Sequence, residues 1–195
     1  MHRTAVILIT AMLLLTVSFY AAADAYTDAG YAVKEACGMQ SAEYFMETMT
    51  EETEEKIVRS ILSPKDEELL ARMLWGEDRE NPTYMRAAII WCVYNRMENS
   101  GYPVSTIVTQ EQFAGYMPSN PVRDWARDIV RDVTVRYVLE QNGFEDVGRV
   151  LPKRFIYYGM ADEKRIHIFR NKLSADDPNY ERWDWSLPSP YGDKP

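Results

Sequence analysis

Three dipeptides, Ser63-Pro64, Asn81-Pro82 and Asn120-Pro121, each join a side chain that caps helices well to a proline suited to a helix's first turn. Proline is tolerated there and breaks a helix anywhere further in, so these pairs set the phase of the middle of the chain. The first opens a helix expected to run to about Glu77, with Asp66 three residues after the serine cap. The second opens a helix through Ala87, Ala88, Trp91 and Tyr94 to about Met97, stopped near Gly101-Tyr102-Pro103. The third opens a helix whose apolar positions Val122, Trp125, Ala126, Ile129, Val130, Val133 and Tyr137 keep three-and-four spacing until Gly143. Beyond Gly143 the period changes. Arg154 to Tyr158 and Arg165 to Phe169 are short aromatic and β-branched runs, separated by a polar connection containing Gly159, and read as a β-hairpin. Residues 171–195 carry Pro178, Pro188, Pro190 and Pro195 beside Trp183 and Trp185, the pattern of an extended tail packed by its aromatics. The fold class is α+β, mainly helical, with a small hairpin.

Composition removes several functions. The chain has 195 residues, 46% hydrophobic and 27% charged, as one compact domain requires, and its net charge of -8 argues against nucleic acid or an anionic membrane surface as partner. Cys37 and Cys92 allow at most one bridge, which the sequence leaves open, and cannot build a thiolate metal site. His2 and His167 are the two histidines. Neither a metal nor a cofactor is expected. A nucleophilic pair of Cys92 with His167 is disfavoured because Cys92 falls in a strongly apolar helical segment, where a thiol is buried and inert.

No charge occurs from Thr4 to Ala23, after His2 and Arg3, and Ala21 to Ala25 supplies small residues at A-x-A spacing. Residues 1–25 therefore read as a secretion signal, with an uncleaved membrane anchor as the alternative. Either way the chain is expected to work outside the cytoplasm, secreted or in the cell envelope. Residues 26–62 are expected to form an exposed leader followed by a solvated acidic helix, since Ser41 to Leu62 carries Glu43, Glu47, Glu51, Glu52, Glu54 and Glu55 before its first positive charge. Residues 63–170 are expected to form the working domain.

The chemistry begins with Glu77. At about 100° per residue, Leu69, Met73, Leu70 and Leu74 fall at roughly 0°, 40°, 100° and 140° around the first helix, and Glu77 falls near 80°, in the middle of the apolar stripe. A carboxylate aimed inward loses hydration, which raises its pKa, and a carboxyl protonated near neutral pH is what general-acid catalysis needs. Against this, Glu77 ends the helix, where fraying would let it reach water or pair with Arg72, Arg79 or Arg86. Spacing alone leaves both readings open.

The stretch Glu77-Asp78-Arg79-Glu80-Asn81-Pro82, the following helix ending Val93-Tyr94-Asn95-Arg96, and Gln112-Phe113 together resemble the SleB-type cell-wall hydrolase family, which includes spore-cortex-lytic enzymes. The family signature is Glu-Ala-Arg-Gly-Glu-Pro, then an Ala- and Val-rich helix ending in Asn-Arg, then Gln-Phe. The likeness spans about Leu69 to Arg170, with Phe155 to Tyr158 and His167-Ile168-Phe169 similar to its closing aromatic strand and His-x-Phe segment. The resemblance implies a lysozyme-like two-lobed fold, helices forming one lobe and a small β element the other, with peptidoglycan glycan bound between them. It also implies that Glu77 is the catalytic acid. Asp78 stands where alanine is usual, Glu80 in place of glycine, and Asn81, a good helix cap, in place of the second glutamate.

Of the two routes to cleavage, a lytic transglycosylase needs one carboxyl, acting as acid and then as base, and the resemblance favours it. Muramidase or glucosaminidase hydrolysis needs a second carboxylate, for which Asp78, Glu80 or Glu111 is available. A catalytically silent wall-binding module is the alternative of another class. Arg79, Glu80, Gln112, Phe113, Tyr157, Tyr158 and His167 are the candidates for glycan contact. Gln112 and Phe113 are placed on a polar loop between helices, where anchoring the loop is the competing role, and the strand aromatics compete with a core role. Asn95 and Arg96 are expected to lock a loop below the cleft, and Trp183 and Trp185 to extend the groove or the core. The expected partner is the peptidoglycan glycan strand, bound by a monomer.

Overall fold

A computed structural model describes residues 41–110, 113–161 and 166–192. The expected secretion signal, the leader to residue 40, Cys37, Glu111, Gln112 and the hairpin connection at 162–165 lie outside these. In chain order the elements are α1 (Ala42–Thr48), α2 (Glu51–Ile61), α3 (Pro64–Glu77), α4 (Thr83–Ser100), α5 (Val104–Gln110), α6 (Asp124–Gln141), β1 (Tyr157–Ala161) and β2 (Ile166–Arg170). The architecture is mainly helical with one two-stranded antiparallel sheet. Among the described residues no helix is long and apolar enough to cross a membrane.

Helix α4 is the centre of the core. Residues Ala87 to Tyr94 are all at 0% exposure, so this helix is apolar on every side, and α3, α5, α6 and β1 pack against it. Ser63 caps α3 as expected, its hydroxyl accepting from the Asp66 N–H at 3.1 Å. Gly101 ends α4 in the left-handed region at φ 73°, which a glycine adopts without strain. The other two cap-plus-proline pairs behave differently. Pro82 itself occupies the cap position of α4, Arg123 that of α6, and neither supplies a side-chain cap. Asn81 and Asn120 spend their amides elsewhere, on the surroundings of Glu77.

Three further expectations are corrected. Ser41 to Leu62 is two helices broken at Met49-Thr50, and it belongs to the core: Ala42, Phe45, Ile57, Val58 and Leu62 are buried. Its acidic side is only partly solvated, because Glu54 and Glu55 accept from Arg131 of α6 at 2.6 and 2.7 Å. Residue 62 is therefore not a packing boundary. The segment before Phe113 holds α5, a helix that β-branched Val104, Thr106, Ile107 and Val108 do not advertise; burial of Val104, Ile107 and Val108 on one face sustains it. The hairpin forms, but β1 starts three residues later than its aromatic run and takes in Gly159, opposite Ile168, instead of leaving it in the connection.

The tail returns to the body as expected from its aromatics. The Trp183 backbone N–H donates to Phe169 O at 2.9 Å, and Trp185 packs edge-on against both Tyr84, 5.1 Å away, and Phe169, 5.6 Å away. The tail thus runs along the β2 edge of the hairpin, and its indoles pack on Phe155, Phe169 and the start of α4.

Glu67, 3% exposed, ties three helices together. It accepts from Arg59 of α2 and lies 3.5 Å from Arg127 and 3.6 Å from Arg131 of α6. Truncation would leave partly exposed arginines, which water rehydrates, together with a small void. Glu67→Ala is expected to cost about 2–3 kcal/mol, below the full penalty of orphaning a buried ion, as read from the urea midpoint at unchanged m-value.

Candidate active site

Glu77 is the last residue of α3, and its side chain is half-buried on the inward face that carries Leu70, Met73 and Leu74. It does not fray into water. The loop after α5 docks on the final turn of α3, and there the Gly115 N–H donates to Glu77 Oε1 at 2.7 Å. This docking requires glycine on both sides. A Cβ on Gly76 would lie 1.8 Å from Gly115 O, and a Cβ on Gly115 would lie 2.5 Å from the Gly76 carbonyl carbon. Asn120, 6% exposed, bolts the contact by donating to Gly115 O at 2.7 Å and Arg72 O at 3.0 Å, while the Arg72 guanidinium returns a bond to Asn120 O.

On the other side of Glu77 the chain turns through Asp78, which is 4% exposed. Asp78 Oδ1 receives the Glu80 N–H at 3.2 Å, the Asn81 N–H at 3.0 Å and the Asn81 side-chain amide at 3.1 Å. Asp78 Oδ2 meets His167 Nε2 at 2.7 Å, and His167 Nδ1 meets the Tyr158 hydroxyl at 2.8 Å. Strand alternation makes this possible: Tyr158, His167 and Phe169 share one face of the hairpin, and Tyr157 points to the other. Beneath them lies Phe113, stacked on Tyr158 with ring centres 5.8 Å apart and covered by the Arg96 guanidinium at 4.9 Å. Arg96 also donates to Ile156 O, and Asn95 donates to Pro152 O and Phe155 O at 3.0 and 2.9 Å, so the two residues lock the segment that leads into the hairpin.

Burial pushes the Glu77 carboxyl above its ordinary value. The Gly115 N–H, the Tyr158 hydroxyl and the charges of His167 and Arg96 pull the other way and do not outweigh it. Asp78, also buried, moves oppositely: its desolvation is outweighed by His167 and the Asn81 and Glu80 N–H groups, which hold it below the usual carboxylate range. Two adjacent carboxyls thus have environments that drive their proton affinities apart, a pattern suited to one acid and one permanent anion.

Of the residues singled out from sequence, Tyr158 and His167 lie with Glu77, and both are buried. Phe113 is 4% exposed and supports Tyr158 from behind, so its ring offers no face to a sugar. Tyr157 is half-buried on the opposite face of the hairpin. Arg79 is exposed and lies over Trp75, its guanidinium 3.8 Å from the ring centre, and Glu80 is exposed on the same turn. Asp78 was weighed from the sequence as a second carboxylate for hydrolysis; with both oxygens engaged inside the protein it is instead part of the frame. Asn81 is no helix cap, since its amide also lies 3.1 Å from His167 Nε2. Trp183 and Trp185 pack on Phe155, Tyr84 and Phe169. The link from Asp78 to His167, 89 positions apart, leaves no local signal in sequence.

Among the described residues no group of three or more His, Cys, Asp or Glu is placed to hold a metal ion. The chain matches no family model, and no curated protein or solved structure matches it.

Two outcomes follow from this geometry. Gly76→Ala forces the loop off α3, with an expected loss of about 1–3 kcal/mol, the usual cost of overpacking, and faster hydrogen exchange at the Gly115 amide. Cys92 lies wholly inside α4, where burial pushes its thiol up to about 11. It is expected to stay unmodified by a thiol reagent at pH 8 in the native protein and to react at once in denaturant.

Proposed function

We propose that this chain is an exported enzyme that cleaves the glycan strands of peptidoglycan, with Glu77 as its single acid-base residue. The observation that carries the reading is the half-buried Glu77 carboxyl, held by the Gly115 N–H and raised in proton affinity by burial. The SleB-type motif selects the same residue, and a lysozyme-like arrangement, with the helices on one side of Glu77 and the hairpin on the other, belongs to the same proposal. Glu77 gives its proton to the glycosidic oxygen between N-acetylmuramic acid and N-acetylglucosamine as the bond from the muramic C1 breaks. The Glu77 carboxylate then takes the proton of the muramic acid's primary hydroxyl, whose oxygen attacks C1 and closes an anhydro ring. Atoms balance without water, and Glu77 ends protonated. The engagement of Asp78 inside the protein supports this one-carboxyl route over hydrolysis through Asp78. Exposed Arg79 and Glu80 are then the polar groups nearest along the chain to meet the glycan, from a monomer working outside the cytoplasm.

The test is digestion of purified peptidoglycan by the chain and by Glu77→Gln, with products read by mass spectrometry. Anhydro-muramyl ends are expected from the former, and at least a hundredfold fewer from the latter. Reducing ends would mean hydrolysis. No product from the unaltered chain, with binding retained, would make it a silent wall-binding module. The acid must be protonated, so activity falls as pH rises through the raised Glu77 value. Stability follows the same sign: folding binds this proton more tightly, so stability is lost as pH rises from the unfolded carboxyl value through the folded one. Glu77→Gln keeps an acceptor for Gly115 and is expected to melt higher than the parent at pH 8 but not at pH 4.

A further inference from the structure

A trough on the surface takes no part in the surroundings of Glu77. Two adjoining cavities of about 670 and 500 Å³ share Met46 and Asp132, and together they lie between α1 and α2 on one side and α6 on the other, reaching the tail at Pro188 and Pro190. The floor is apolar. Met46 and Met49 are half-buried against the core, and Val135, which lines the trough with them, is wholly buried. Along α6 the trough extends from Asp128 to Arg136, about 12 Å at 1.5 Å per residue, the length of two helical turns.

Around this floor the charge has one sign. Eight carboxylates and two guanidiniums line the trough, a surplus of six negative charges in a chain whose net charge is -8. Both guanidiniums are already engaged: Arg131 donates to Glu54 and Glu55 at 2.6 and 2.7 Å, and Arg136 donates to Asp132 at 2.8 Å. Glu43, Glu47, Glu51, Asp128 and Asp146 are exposed and have no cationic partner among the described residues. Glu47 even stands in the last turn of α1, where the helix dipole opposes an acid. Carboxylates gathered around one apolar floor repel one another, and a cationic cover relieves that cost.

We propose that the trough is a docking surface for a basic amphipathic segment of another protein, with its apolar side chains on Met46, Met49 and Val135 and its lysines or arginines against the five unpaired carboxylates. Methionine side chains adapt to apolar partners of varied shape, and the charged rim steers and orients the partner. Other occupants match less well. The charge is spread along the trough, and among the described residues no three carboxylates converge as a metal ion requires. Residues 26–40, which lead into α1, carry Asp28 and Glu35 against Lys34 and bring no positive surplus. A second copy brings the same net charge of -8 and is repelled. The inference stands apart from the role of Glu77.

The experiment is an NMR titration of the full chain, carbon-13-labelled at its methionine methyls, with a synthetic leucine-lysine peptide about four helical turns long whose leucines share one face. Met46 and Met49 are assigned by Met46→Leu and Met49→Leu, and Met117, 58% exposed on the loop that docks on α3, is the internal control. One-to-one binding that moves the Met46 and Met49 methyls and leaves Met117 in place is expected. Glu47→Gln with Asp128→Asn should weaken it at least about fivefold. Asp176→Asn with Asp184→Asn removes as much charge from exposed side chains that do not line the trough, and should change it less than about twofold. A peptide of the same composition with its leucines scattered around the helix should bind at least about fivefold more weakly.

No binding overturns the proposal. So do shifts that reach Met117 equally, equal losses from the two pairs of substitutions, or equal binding of the scattered peptide, each of which shows only attraction to an acidic chain. Met46 and Met49 methyls that move when the free chain is diluted give the trough to a second copy, and methyls that move on Val33→Ser give it to residues 26–40; either result overturns the partner segment. Peptidoglycan digestion reads Glu77 and this titration reads the trough, so each reading can fail alone.

Discussion

Two backbones touch at Gly76 and Gly115 with no side chain between them, and the arrangement around Glu77 depends on that contact. A carboxyl in the last turn of a helix ordinarily reaches water, since the helix dipole opposes it and the end frays. Here the loop from Phe113 to Asn120 is pressed against the turn closely enough for the Gly115 N–H to reach Oε1 and for the Asn120 amide to bridge both segments. The desolvation that raises the affinity of Glu77 for its proton comes with that closure. A methyl group on either glycine would open it.

The same economy governs the polar groups behind Glu77. Asp78 and His167 are both almost wholly removed from solvent, and burying such groups is costly unless every donor meets an acceptor. The site meets that condition around Asp78, whose Oδ1 takes N–H groups of the turn after α3 and whose Oδ2 meets His167 of the hairpin. Phe113, the Arg96 guanidinium and Phe169 enclose it with apolar and cationic surface. The proposed acid is therefore placed by α3 and framed by strands roughly ninety positions later in the chain.

Much of the helical scaffold was legible because helix starts carry local chemistry: Ser63-Pro64 and the α3 span follow from side-chain capping and proline's missing donor. Glu77 was legible through the 3.6-residue period, and the hairpin through its β-branched and aromatic runs. Asn81 and Asn120 were misread because an asparagine amide serves equally well as a cap or as a buried bolt, and only tertiary neighbours decide. Helix α5 was missed because β-branched residues are poor helix formers and packing overrides them here. The burial of Phe113 and the partners of Asp78 involve contacts between distant segments, which no local pattern encodes.

The two indoles that hold the tail against Phe155, Phe169 and Tyr84 have a consequence for how the molecule is made. The surroundings of Glu77 draw on residues 77, 115, 158 and 167, and the hairpin among them is flanked by residues 183 and 185. Such long-range closure is slow, because chain entropy must be lost before the distant contacts repay it. A growing polypeptide could complete its helical bundle early, yet the groups behind Glu77 would find one another only once the hairpin and the tail to residue 185 had followed it.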